Sequence, residues 1–183
     1  MRIFAVYTKL RLTERPDWLD EFRKKYDEPW HFHNTLKQPC FIEDEKVPTI
    51  RNQLDHFFSN RKLPGKMTVR FDEVVAKQTE PDSTIMIRAQ SARQLVNLQR
   101  ALLSALVQYT NYVDARHQEY EKNFEPHITI GRDLPARQYG EALKYLKDGC
   151  VCVGTIKEVV LAVVKDDTVE EGMNPANHTV YRL

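Results

Sequence analysis

The sequence predicts an α+β fold of two pseudo-symmetric lobes, each an antiparallel sheet with outer helices, around a central groove carrying two His-x-Thr strands. Three observations carry that prediction. Short β-prone runs with period-two alternation interleave with amphipathic helical runs. The pattern His-x-Thr-apolar occurs twice, at His33-Asn34-Thr35-Leu36 and at His127-Ile128-Thr129-Ile130. The chain around the two copies also repeats in outline: motif strand, helix, a strand containing Glu-Val-Val, a short last strand. In the first half these are His33, a helix over 48–59, Glu73-Val74-Val75 and 84–88; in the second they are His127, a helix over 135–148, Glu158-Val159-Val160 and 179–183. Two related halves place the motif strands symmetrically about a cleft. A chain of 183 residues fits one bilobal domain, 1–183, long enough to bury a core without disulfides or metals.

Taken in order, Arg2 to Lys9 alternates and is rich in Ile, Phe, Val and Tyr, which predicts the first strand. Thr13 is placed to cap a helix with Trp18, Leu19, Phe22 and Tyr26 on one face, ending before Pro29. The first motif strand covers about 31–37 and Pro39 closes it. Pro48 opens a helix with Ile50, Leu54, Phe57 and Phe58 on its buried stripe. Met67 to Lys77 reads as one long strand, and a turn at Glu80-Pro81-Asp82 returns the chain antiparallel through Thr84 to Arg88. Ser91 and Gln94 form a capping-box pattern ahead of Leu95, Leu98, Leu102 and Leu106 at helical spacing. Residues 111–124 lack a period and read as a frayed helix end plus a loop. After the second motif strand, Pro135 starts a helix with Tyr139, Leu143 and Leu146 inward and Gly149 at its end. Val151 to Lys165 supplies one long strand or two short ones, a polar loop fills 166–177, and Thr179 to Leu183 is the last strand.

Composition narrows the function classes. A net charge of +1 argues against a long, sequence-indifferent nucleic-acid footprint, while a local basic pocket for one or two phosphates remains compatible with it. Cys40, Cys150 and Cys152 are odd in number, and no signal peptide or membrane span is evident, so a reduced cytoplasmic protein, monomeric and away from membranes, is expected. Cys150-Val151-Cys152 alternates with the strand and reads as packing. No His, Cys, Asp or Glu cluster has metal-ligand spacing, so neither a metal nor another cofactor is expected.

The chemistry concentrates in Pro126-His127-Ile128-Thr129-Ile130-Gly131-Arg132. A titratable ring and a hydroxyl two residues apart on a strand point to one face. Pro126 disfavours a helical reading, and Gly131 is suited to close approach of a ligand. The same geometry recurs with His33 and Thr35. Two imidazoles facing one phosphate can supply the base and the acid that in-line attack needs near neutrality. Thr35, Thr129 and Arg132 suit the nonbridging oxygens. Tyr7 and Phe32 are aromatic candidates for stacking on a base, and as β-formers they suit the core equally. His31 reads as accessory or surface; His56, His117 and His178 read as structural.

These motifs, with the Met-Arg-Ile-Phe start, Phe32-His33-Asn34-Thr35-Leu36-Lys37 and Phe124-Glu125-Pro126-His127-Ile128-Thr129-Ile130-Gly131-Arg132, resemble the 2H phosphoesterase superfamily, specifically its bacterial 2′-5′ RNA ligase-like (LigT-like) and 2′,3′-cyclic phosphodiesterase branch. The resemblance covers nearly the whole chain. It implies two pseudo-symmetric lobes and metal-free phosphodiester chemistry on RNA ends or cyclic nucleotides, with 2′-5′ ligation as a reversible partner reaction. It also implies His127 as base and His33 as acid for 2′,3′-cyclic substrates. Asn34 departs from the family, which usually has an apolar residue there. A hydrolase of 2′-5′-linked or cyclic oligonucleotide signals, using the same four residues, and a nucleotide-binding module without catalysis are the alternatives. Intact His33, Thr35, His127 and Thr129 weigh against the second of these.

Overall fold

The computed structural model describes residues 1–27, 30–78, 83–146 and 150–183. The helix stop at Pro29, the turn at Glu80-Pro81-Asp82 and the helix end at Gly149 lie outside those residues. In chain order the elements are β1 (Arg2–Glu14), α1 (Trp18–Tyr26), β2 (His33–Ile42), α2 (Val47–Ser59), β3 (Met67–Phe71), β4 (Glu73–Lys77), β5 (Ser83–Arg88), α3 (Arg93–Ala105), α4 (Arg116–Lys122), β6 (His127–Leu134), α5 (Ala136–Tyr145), β7 (Cys152–Val164), α6 (Val169–Met173) and β8 (His178–Arg182).

Two antiparallel sheets form. One has the order β2-β1-β7-β3, with β8 pairing β7 beside β3; the other is β4-β5-β6. The sheets do not follow the two halves of the sequence. Strands β7 and β8 complete the sheet that holds His33, while β4 and β5 from the first half complete the sheet that holds His127. The expected long strand from Met67 to Lys77 is where this exchange happens. It breaks at Asp72, whose N–H donates to the Arg88 carbonyl at 3.0 Å, so that β3 ends against β7 and β4 begins against β5. Alternation alone does not reveal which sheet each half of the run pairs with.

Burial follows the strand period at both motifs. His33 and Thr35 are half-buried while Asn34 and Leu36 are buried; His127 and Thr129 are half-buried while Ile128 and Ile130 are fully buried. Burying a side chain such as Ile128 stabilises by about 1.5–3 kcal/mol. A slip of one residue would forfeit two such contributions and drive His127 into the core, so the apolar neighbours fix which face the histidine takes.

Several local expectations are corrected. Thr13 lies in β1, its hydroxyl donating to the Val153 carbonyl, and Asp17 precedes α1. Helix α3 begins after Ala92 without a side-chain cap, so Ser91 and Gln94 form no capping box there. Helix α5 buries Tyr139 and Ala142, and Leu143 is 40% exposed. Residues 116–122, expected as loop, form α4, and the polar stretch after β7 contains α6. Strand β7 is one long strand, and Cys40, Cys150 and Cys152 are buried free thiols. Among the described residues no helix is long and apolar enough to cross a membrane.

Candidate active site

A groove of about 540 Å³ runs between the two sheets. His33, Thr35 and Tyr7 line it from one sheet; His127, Thr129 and Arg132 line it from the other. Tyr7 stands directly opposite Thr35 in the β1–β2 register, which puts its ring 5.6 Å from that of His33.

The two motif histidines are held in the same way. The Nδ1 of His33 is 2.9 Å from the His31 carbonyl, and the Nδ1 of His127 is 2.7 Å from the Glu125 carbonyl. A carbonyl accepts only from N–H, so each Nδ1 carries the proton. In the neutral ring, each Nε2 is then left with its lone pair for the groove. Burial is the main reason that both rings titrate below the usual imidazole range, and the Arg132 guanidinium adds to it; His33 is lowered to about 4. The His31 carbonyl favours the charged form of His33, and the Glu125 carbonyl that of His127, but desolvation outweighs them. Both rings are therefore neutral at pH 7 before a ligand enters.

Arg132 reaches the groove because β6 is irregular. Strict alternation would place it on the core face with Ile128 and Ile130. Thr129 pairs with Met86 but Gly131 pairs with Ile85, so one extra residue is inserted into β6 and the phase after it is inverted. Gly131 permits this at close quarters: a Cβ there would lie 3.0 Å from Leu134 Cδ1 and 3.4 Å from the Tyr26 carbonyl oxygen. The expectation that Gly131 admits a ligand is thus corrected, since what approaches it is the core. Asp133 follows with φ 49°, a left-handed conformation that Asp tolerates better than bulkier residues.

Phe32 does not border the main groove but lines a small adjoining pocket with His33, Thr129 and Arg132. It packs against the core with the Arg23 guanidinium 4.1 Å over its ring, and the backbone of Phe32 serves β1 by accepting from the Leu10 N–H. Trp30, which the sequence reading did not single out, lines the main groove: its ring lies 5.9 Å from that of His33 and covers Gly172 of α6 so closely that any Cβ there would collide with it. His178, read as structural, touches the site through Tyr7: its Nε2 lies 2.8 Å from the Gly172 carbonyl and 3.3 Å from the Tyr7 hydroxyl. Burial raises the Tyr7 phenol above its ordinary value, so it stays protonated. His31 is half-buried beside Tyr7, lowered to about 4 mainly by burial. His56 is on the exposed face of α2, while His117, on α4, lines the groove.

The far end of the groove is set by a buried ion pair that the sequence did not announce. Lys37 on β2 is 1% exposed and its Nζ meets both carboxylate oxygens of Glu121 on α4 at 3.0 and 3.1 Å. Glu121 also accepts from the Gln38 N–H at 2.6 Å and the Tyr112 hydroxyl at 2.8 Å, so every charge in the pair is compensated. Among the described residues no group of three or more His, Cys, Asp or Glu is arranged to hold a metal ion.

Comparison with known proteins agrees with this architecture. Two proteins named putative phosphoesterase, from Geobacillus sp. (strain WCH70) and Geobacillus kaustophilus (strain HTA426), are each 29% identical, over 72% of this chain and 70% of theirs. Solved structures of the same fold include Escherichia coli LigT in complex with 3′-AMP (14% identity, 100% of this chain and 95% of that one, TM-score 0.54) and Kluyveromyces marxianus Usb1 (8%, 99% and 98%, TM-score 0.57). The sequence pattern of the 2′-5′ RNA ligase superfamily matches residues 7–168, and the chain belongs to that superfamily of 2H phosphoesterases.

Proposed function

We propose that the protein is a metal-independent phosphodiesterase that opens 2′,3′-cyclic phosphates of RNA ends or nucleotides, with 2′-5′ ligation as the related reaction at the same site. The observation that supports this most is the matched pair of histidines, each with Nδ1–H committed to a carbonyl two residues back and Nε2 left for one shared groove. LigT, with the same fold, is described in complex with 3′-AMP, a nucleotide carrying its phosphate at the relevant end.

One imidazole Nε2 takes a proton from water as its oxygen attacks phosphorus. The opposite imidazolium Nε2–H gives a proton to the ribose oxygen as its P–O bond breaks, leaving a phosphomonoester and a free vicinal hydroxyl. Thr35, Thr129 and Arg132 hold the nonbridging oxygens. Because the His178 Nε2–H is directed at the Gly172 carbonyl, the Tyr7 hydroxyl keeps its proton for a phosphate oxygen. Neither ring is charged in the free protein, so the acid acquires its proton when the phosphate anion arrives and offsets Arg132 and burial. Ligand binding is then coupled to proton uptake near pH 7, which calorimetry of 3′-AMP binding in buffers of different ionisation enthalpy will register. Hydrolysis of a 2′,3′-cyclic nucleotide should persist in excess EDTA. Loss in EDTA with recovery on adding one divalent ion would overturn the metal-independent reading.

A further inference from the structure

The groove continues well past the histidines. Its floor follows β1 from Tyr7 through Ala5 to Ile3, flanked on β7 by Ala162 and Val164, which pair with Ala5 and Ile3. Four residues of strand cover about 13 Å. This floor is flat, apolar and made of small side chains at its centre. Helix α4 stands at its far end, because Glu121 is fastened to Lys37 and Gln38 on the same stretch of β2. With Glu121 turned inward, α4 presents Arg116, His117 and Tyr120 to the groove. Tyr120 is 51% exposed, far more than a ring of its size needs to be for packing, and Asp114 fixes the Arg116 guanidinium through Nε at 2.9 Å.

We propose that this end of the groove is a second nucleotide subsite, in which Tyr120 stacks on the base preceding the terminal nucleotide of an RNA and Arg116 faces the phosphodiester between them. The inference rests on the reading of the groove as a site for RNA-terminal phosphates, and it makes the substrate an oligonucleotide end rather than a free mononucleotide. A stacking ring and a fixed guanidinium at the far end of an apolar floor that begins beside the histidines suit a base and a phosphate further along a single strand. Ala5 and Ala162 leave the strand path low enough for a flat ring system to lie across it. The buried Lys37–Glu121 pair holds the helix in register with the histidines, so the subsite is pre-formed.

The test compares two probes, 3′-AMP and the dinucleotide ApAp carrying the same 3′-phosphate, by calorimetry on the full chain. The wild-type protein should bind ApAp about 10-fold more tightly than 3′-AMP. Tyr120→Ala should bring that ratio close to one while leaving 3′-AMP affinity unchanged, and Tyr120→Phe should keep the ratio. Arg116→Ala should reduce the salt dependence of ApAp binding by about one charge. Equal affinity of the wild-type protein for the two probes, or an unchanged ratio in Tyr120→Ala, would overturn the subsite. Hydrolysis of the corresponding cyclic phosphates is followed in parallel. No hydrolysis of either, with the binding ratio still lost in Tyr120→Ala, would sustain the subsite while removing the catalytic reading.

Discussion

His33 lies among rings: Tyr7 at 5.6 Å, Trp30 at 5.9 Å and His31 at 5.9 Å between centroids. His127 lies among charges, with the Glu125 carboxylate bound to Arg88 at 2.7 Å and to Lys77 at 4.0 Å. Yet both rings make the same Nδ1 contact, to a main-chain carbonyl two residues earlier. The main-chain carbonyl two residues before each ring therefore sets the tautomer, and the surroundings adjust only the basicity. The strands are also backed differently. Behind β6 lie Ile128 and Ile130, fully buried; behind β2 lie Asn34 and Leu36, with the Lys37–Glu121 pair next along the strand. One half of the site stands on an apolar support and the other on a polar one.

That difference in support gives the largest stability effect. Lys37→Met leaves Glu121 buried without its cation and should destabilise the protein by about 3–5 kcal/mol in denaturant melts. Ile130→Val, on the apolar side, should cost only about 1 kcal/mol. Similar losses at the two sites would erase the contrast between the supports.

Acid should weaken the His33 side next. Its folded pKa of about 4 lies below the unfolded value near 6.5, so between these values the unfolded chain binds more protons than the folded one. Stability is then full above about pH 6.5 and falls as pH drops towards 4, by roughly 3 kcal/mol from this residue. His33→Gln should flatten that part of the curve. A wild-type stability that is level from pH 7 to 4 would show the ring is not held neutral.

The smallest effect sharpens the comparison by making β2 like β6. Both polar atoms of the Asn34 amide are buried with no hydrogen-bond partner among the described residues, at the position that corresponds to Ile128. Asn34→Val should raise stability by about 1 kcal/mol and leave turnover unchanged. A fall in stability would mean that the amide is satisfied by water in the groove.

The motif strands were legible because a period of two and apolar alternate residues are local properties. The period predicts the face that His33, Thr35, His127 and Thr129 present to the groove, whereas for Arg132 it predicts the core face, and the inserted residue that brings it to the groove depends on pairing with β5 and leaves no mark in the sequence. The strand exchange at Asp72 escaped notice because the pattern from Met67 to Lys77 looks the same whichever sheet it joins. Helix α4 was missed because Glu121, its buried anchor, finds its partner 84 residues away, so the segment shows no apolar period of its own. The groove-lining place of Trp30 was hidden for a similar reason. The sequence contexts of Trp30 and Phe32 do not differ, and only the packing of Trp30 over Gly172 and of Arg23 over Phe32 separates the two.

The central claim, that two imidazoles divide acid and base work on one phosphate, is tested most directly by turnover of His33→Ala and His127→Ala on paired substrates. On a 2′,3′-cyclic nucleotide, whose leaving oxygen needs a proton, each variant should lose about 10²- to 10⁴-fold in kcat. On a nucleoside 4-nitrophenyl phosphodiester, whose leaving group departs without one, His33→Ala should recover most of that loss and His127→Ala should not. The opposite rescue would exchange the two roles. Equal rescue of both variants, or a loss below 10-fold on the cyclic substrate, would contradict the division of labour itself.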